Sequence, residues 1–287
     1  MPLGRVLIPV DGTRLLEAKL DWALALAPRF APTIDVIFLY GTVDPMTVDR
    51  SPLVGDDAFL AVENTWLDRA AGFRAVRLAV QEWAERRQVP FMSPRKDGAA
   101  FIRLVEVTTS YSAAVEEQGR VSDLIVVGQP GDGMTALEVE INRLSLMTTG
   151  RRMVVIPEES AQSDDILGNV LLAWEGGLQS TRMISSMMDL LVASSKVTIY
   201  TAGEASDVAR KHERMRDYLL CNGIDATFIA DEISSRIGRK VLEIAAENAV
   251  GLICLGAYEH PRMVELVIGG NTRHLYGRSK FPLILNY

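Results

Sequence analysis

Only two cysteines, Cys221 and Cys254, occur in 287 residues. They are far apart, form no CxxC pair, and Cys254 sits inside the apolar run LICLG, so buried thiols in a reducing compartment are expected rather than a disulfide framework. Histidine is scarce as well. The lone residues His260 and His274 have no partner at metal-ligand spacing, so no metal site is expected. Long hydrophobic runs are missing: no uncharged stretch approaches the roughly 20 residues of a membrane-spanning helix. The apolar run after Arg5 stops at Asp11, too short for a secretory signal. A cytoplasmic protein without a membrane attachment is the expectation. Concentrated positive charge is also lacking, because 30 Lys and Arg face 37 Asp and Glu for a net charge of −7, and cations cluster only in short pairs such as Arg86-Arg87 and Arg151-Arg152. That leaves no electrostatic footprint for DNA or RNA. Finally, there is no GxxxxGK[ST] loop, no GxSxG elbow and no HExxH, so an enzyme of those classes is not expected.

What is present is repetition. RVLIPVDGT from Arg5 and NVLLAWEGG from Asn169 are short apolar runs, each ending in an acid followed by glycine. Such runs suit strands buried on both faces. An apolar helical stripe follows each: Leu16, Leu20, Ala23, Leu24 and Ala27 in the first, Met183, Ile184, Met187, Met188 and Leu191 in the second. The parallel continues through IDVIFLYG and KVTIYTAG, FIRLVEV and ATFIAD, SDLIVVGQP and VGLICLGAY, then RRMVVIP and FPLILNY. Alternating strands and helices with buried strands imply an α/β chain of two tandem, doubly wound, Rossmann-like domains, each with a five-stranded parallel sheet. The boundary falls in PEESAQSDDILG, which separates residues 1–158 from 166–287. The first copy is longer by segments 42–60 and 89–100, which read as surface excursions.

These residues resemble the universal stress protein family, whose domains open on a strand with an acid-glycine turn and carry a D-L-I-V-x-G fourth strand. GAYEHPRMVELVIGGNTRHLYGRSKFPLIL is similar to that family's glycine pattern, which ends in Gly and Ser/Thr before a helix and a last strand. The resemblance covers nearly the whole chain as a tandem member. It implies sheets of the adenine nucleotide alpha hydrolase type, with ATP or AMP at the carboxyl ends of the strands in many members, and Mg²⁺ only where ATP is bound. Carried over by position, it puts Glu175, Thr201, Ala202, Gly256, Arg262, Gly269, Gly270 and Asn271 in a second-copy site, and Asp11 and Gly128 in a first-copy site.

The second copy departs from the pattern twice: Glu259 replaces a glycine, and Gly270 replaces the Ser/Thr. A Glu about 4 Å from phosphate would cost roughly 4 kcal/mol at an effective dielectric near 20, although it could point to solvent. Arg262 and Arg273 could offset it. Gly269-Gly270 suits either a phosphate cradle or a tight turn, and Glu175 either a base contact or an acid favouring the next helix. In the first copy Gly128 and Gly131 keep their spacing, but the later Gly-Ser/Thr pair is absent and Asp132, Glu138 and Glu140 crowd the loop. The first copy therefore reads as mainly structural.

The functional expectation is a non-catalytic sensor or adaptor with at most a degenerate ATP or AMP site in the second domain. The alternatives are a slow ATP-hydrolysing or nucleotide-dependent enzyme on the same fold, or a binder of a small apolar ligand. Both fifth strands lie at sheet edges, which are pairing liabilities. An intramolecular pseudo-dimer through them is expected, with a homodimer and an unknown protein partner compatible with it. One continuous sheet shared by both halves, or chiefly antiparallel strands within either, would count against this duplication reading.

Overall fold

A computed structural model describes residues 3–40, 56–92, 98–107, 109–159, 165–232, 237–256 and 275–286, without the side chains of positions 56–67 and of Gln179. In the first half β1 (Arg5–Val10), β2 (Thr33–Phe38), β3 (Phe101–Glu106), β4 (Leu124–Gly128) and β5 (Arg152–Ile156) alternate with α1 (Leu16–Leu24), α2 (Ala27–Phe30), α3 (Asp56–Arg87), α4 (Tyr111–Arg120) and α5 (Ala136–Met147). The second half supplies β6 (Val170–Ala173), α6 (Leu178–Ala193), β7 (Val197–Ala202), α7 (Ala205–Cys221), β8 (Thr227–Asp231), α8 (Ile237–Glu247), β9 (Leu252–Gly256) and β10 (Leu283–Asn286).

The strands lie in the order β3-β2-β1-β4-β5-β10-β9-β6-β7-β8. Within each half every pairing is parallel, as the buried runs require. The joint is different: β5 and β10 pair antiparallel, setting Met153 against Leu285, Val154 against Ile284 and Val155 against Leu283. The expectation of two separate sheets is thereby corrected to one sheet of ten strands. The expectation that a continuous sheet would count against the duplication is corrected too: edge pairing itself joins two sheets into one by hydrogen bonding, and each half keeps its own parallel order, β3-β2-β1-β4-β5 and β8-β7-β6-β9-β10.

Helices cover both faces. α1, α3, α6 and α7 contribute Leu20, Trp83, Met187 and Leu219 to the apolar layer on one face. α4, α5 and α8 contribute Val115, Leu144 and Ile244 to the other. Of the predicted stripes, Leu16, Leu20, Ala23, Met183, Ile184, Met187 and Leu191 are buried, Leu24 and Met188 are half-buried, and half-buried Ala27 belongs to α2 rather than to α1. Because the halves join antiparallel, their strands point in opposite directions. The carboxyl ends of β1 and β6 therefore lie at opposite edges of the sheet, and Asp11 and Glu175 do not face one another.

Of the two thiols expected to be buried only Cys254 is; Cys221 is exposed at the end of α7. Two insertions also need correction. Positions 56–60 belong to the long helix α3 rather than to an excursion, while 42–55 lie outside the described residues. In the second insertion Phe91 bridges Ile102 beside β3, and Met92 donates its N–H to the Ile102 carbonyl at 3.0 Å. The linker is anchored at its end, where Ile166 and Leu167 are buried. A Cβ on Gly251 would lie 2.7 Å from the Ile166 carbonyl oxygen, so this approach of two backbones requires glycine.

Candidate functional site at the strand ends

In each half the connection reverses beside the first strand: β1 has β2 on one side and β4 on the other, and β6 has β7 and β9. Ligands of open α/β sheets bind outside the carboxyl ends at such a switch point. Asp11 and Gly128 lie at the first, and Glu175, Thr201, Ala202 and Gly256 converge at the second. Arg262, Gly269, Gly270 and Asn271, with Glu259, Arg273, His260 and His274, lie outside the described residues.

The first crevice is filled by the chain itself. Leu15, before α1, adopts left-handed φ of 52°, a conformation that costs a non-glycine residue about 1–3 kcal/mol. This turn seats Arg14 and Leu15 over the end of β4, so that a Cβ on Gly128 would lie 3.1 Å from Arg14 Nη1 and from Leu15 Cδ1. Arg14 Nη2 donates to the Gln129 carbonyl at 2.8 Å and to Glu158 Oε1 at 2.6 Å, and Nη1 lies 3.5 Å from Glu138 Oε1. Glu158 in turn occupies the space beside Gly131, where a Cβ would meet its carboxyl group at 2.7 Å. Asp11 accepts a hydrogen bond from the Thr135 hydroxyl. Thr135 also caps α5 in a capping box with Glu138. The glycines that could cradle phosphate instead accommodate an internal guanidinium and carboxylate, so the residues present do not fit a nucleotide phosphate here.

Segments of the second half brace this edge. Gln129 Nε2 donates to the Ser279 carbonyl at 3.0 Å, and Asn142 Nδ2 donates to the Gly128 carbonyl at 2.9 Å and to the Tyr276 hydroxyl at 3.0 Å. Burial pushes the Tyr276 hydroxyl up to about 12.

Beneath the crevice Lys19 is buried, 2% exposed. Desolvation lowers its pKa to about 8, partly opposed by Glu138 and Asp11 and assisted by Arg14. A depressed lysine is neutralised more readily in the fold than in the unfolded chain. Its contribution to stability is complete above pH 10.5 and is lost as pH falls through about 8. Relative to Lys19→Met, the wild-type protein should gain roughly 2 kcal/mol of unfolding free energy between pH 7.5 and 10, as read from urea titrations. Parallel pH profiles would show that Lys19 is not desolvated as described.

The second crevice is described only in part. Glu175 is exposed at the end of β6, and Gly256 ends β9 opposite Asn286. Thr201 is buried and its hydroxyl has no hydrogen-bond partner among the described residues, so Ala202, which is half-buried, presents the end of β7. Tyr200, one residue earlier, is pushed up to about 12 by burial and then by Asp231, to which its hydroxyl donates at 3.4 Å. The residues that would meet phosphate lie outside the described residues. Among the described residues no group of three or more His, Cys, Asp or Glu could hold a metal ion.

Sequence reasoning missed Arg14 and Lys19. Lys19 had a signal, since it stands three residues after Leu16 and four before Ala23, within the apolar stripe.

No protein-family profile matches the chain, and no curated protein matches it in sequence. Solved structures do match. A universal stress protein from Archaeoglobus fulgidus aligns over 99% of this chain and 96% of its own, with a TM-score of 0.69 at 12% identity. The fold is that of the universal stress proteins. A second structure, described as a putative universal stress protein from Pseudomonas aeruginosa, aligns over 99% of this chain and 93% of its own, with a TM-score of 0.58 at 11% identity. The cytoplasmic domain of a prokaryotic cation chloride cotransporter aligns over 98% and 94%, with a TM-score of 0.52 at 10% identity. A fold similar to this chain's thus also occurs in the cytoplasmic domain of a transporter, and fold does not by itself assign an activity. No helix among the described residues is long and apolar enough to cross a membrane.

Proposed function

We propose that this chain is a non-catalytic sensor or adaptor of the universal stress protein type, with at most a degenerate ATP or AMP site in its second half. The observation that carries the reading is Arg14, whose guanidinium lies over Gly128 and is held by Gln129, Glu138 and Glu158. A first crevice closed in this way leaves the second as the ligand-receptive one. There the exposed acid Glu175 and the residues at the ends of β7 and β9 offer recognition of a base without a described source of positive charge. The halves stand to each other as the subunits of a dimer do, and a protein partner in the cytoplasm would read the second half's occupancy.

The test is to heat-release small molecules from the purified protein for mass spectrometry, and to titrate it with ATP and Mg²⁺. Expected are no stoichiometric nucleotide, binding no tighter than about millimolar, some 4 kcal/mol, and no turnover. Stoichiometric ATP or AMP, or turnover abolished by Glu175→Ala, would overturn the reading in favour of a working site or an enzyme.

A further inference from the structure

A second receptive feature lies beside the second switch point, between α6 and α7. A cavity of about 400 Å³ opens between these helices and the loop that follows β6. Its walls include Trp174, Ile184 and Met215, which are buried members of the apolar layer on this face. Its rim carries Arg210, Lys211 and Arg214 from α7. Arg210 and Lys211 share Asp207 on the same helix at 2.5 and 2.8 Å, whereas Arg214 has no ion-pair partner among the described residues.

Trp174 adds an independent observation. It is 8% exposed, and its indole Nε1–H is enclosed without a hydrogen-bond partner among the described residues. An unsatisfied buried donor costs about 1–3 kcal/mol, and a ligand acceptor entering the cavity would remove that cost. The dimensions suit a small molecule, since ligand pockets run from about 300 to 1,000 Å³ and combine apolar walls with a few polar groups. Gly176 belongs to the same wall. A Cβ there would lie 3.0 Å from Lys211 Cε, so the loop lies directly against the stem of that cation.

We infer that the groove between α6 and α7 binds a small organic anion, with an aromatic or branched apolar body against Trp174, Ile184 and Met215 and its carboxylate, sulfonate or phosphate at Arg210, Lys211 and Arg214. Apolar walls alone would admit neutral molecules; three cations against one shared carboxylate select for negative charge. The exposed Glu175, adjacent in the loop, excludes anions from the strand-end side and leaves the α7 rim as the place for the charged group. The groove adjoins the second crevice through the loop after β6 but is lined by none of Thr201, Ala202 and Gly256, so this inference does not rest on nucleotide binding there.

The probe is anilinonaphthalene sulfonate, an aromatic body with one anionic group, compared with its neutral relative phenylnaphthylamine. Binding is followed in the full-length protein by the indole N–H resonances of its four tryptophans, with Trp174 assigned from the spectrum of Trp174→Phe. The sulfonate probe should shift the Trp174 resonance selectively. Arg210→Gln/Arg214→Gln, on an exposed helix face, should weaken it at least about tenfold at low salt while leaving the neutral probe unchanged. A shift at other tryptophans without Trp174, or equal sulfonate affinity in the double variant, would overturn the assignment.

Discussion

Ile284→Asp should abolish cooperative folding. Ile284 is fully buried in β10, beside Val154 of β5 and Cys254 of β9, at the only antiparallel joint among the described strands. A carboxylate placed there has only Val154 and Cys254 in register, and the cation near Cys254, Arg152, is already paired with Asp189, so the new group must either remain charged in an apolar layer or take up a proton. Either course, with the lost packing, costs about 5 kcal/mol or more, comparable with the 5–15 kcal/mol that stabilises an ordinary domain. Ile284→Val is the matched control, with an expected loss of about 1 kcal/mol. Size-exclusion chromatography and urea unfolding followed by circular dichroism distinguish them. A soluble Ile284→Asp protein unfolding within about 1 kcal/mol of wild type would mean that β10 is dispensable to the fold.

The second large effect belongs to Arg152→Met. Arg152 begins β5, and its guanidinium makes two hydrogen bonds to Asp189 of α6 while Nε donates to the Asp123 carbonyl at 3.3 Å. The side chains of this pair are 9% and 14% exposed, and it ties the first half's last strand to the second half's first helix. Removing only the cation leaves a buried carboxylate unpaired, with an expected loss of about 3–5 kcal/mol. Replacing both partners, as in Arg152→Met/Asp189→Leu, should recover most of that loss, because an apolar pair of similar volume is often neutral or stabilising. Urea midpoints of the two variants provide the measurement. Equal instability of the single and double variants would show that the ion pair is not the source of the effect.

Much of this architecture can be read from the sequence for a physical reason. Parallel strands buried on both faces write themselves as continuous apolar runs, and both copies use them, so RVLIPV and VLLA announce the first strand of each half. The crossover helices carry equally plain stripes. The direction of pairing at the joint is not legible, since MVVI and LILN are apolar whichever way they run. α3 also extends further than its pattern suggests, beginning inside a segment rich in Pro, Asp and Gly.

The candidate site was legible by position and much less by chemistry. Asp11 and Gly128 fall at the ends of β1 and β4, as the order of elements requires. That Arg14 turns back over Gly128 depends on the left-handed Leu15, a conformation that no local residue preference predicts. The partners of Arg14 lie more than a hundred residues away, and only the folded sheet brings Glu138 and Glu158 to it. The groove between α6 and α7 had a partial signal in the cations of ARKHERMR, but its wall needs Trp174 from a different element.

Amide hydrogen exchange tests the central structural claim most directly: two copies of one α/β unit share a single sheet through β5 and β10. The account predicts that the amides of Met153–Val155 and Leu283–Leu285 exchange in the same slow class as those of β1, β4, β6 and β9, and lose protection together with them as urea is added. Joint amides exchanging about a hundredfold faster than the strands on either side, with the halves then opening independently, would contradict it.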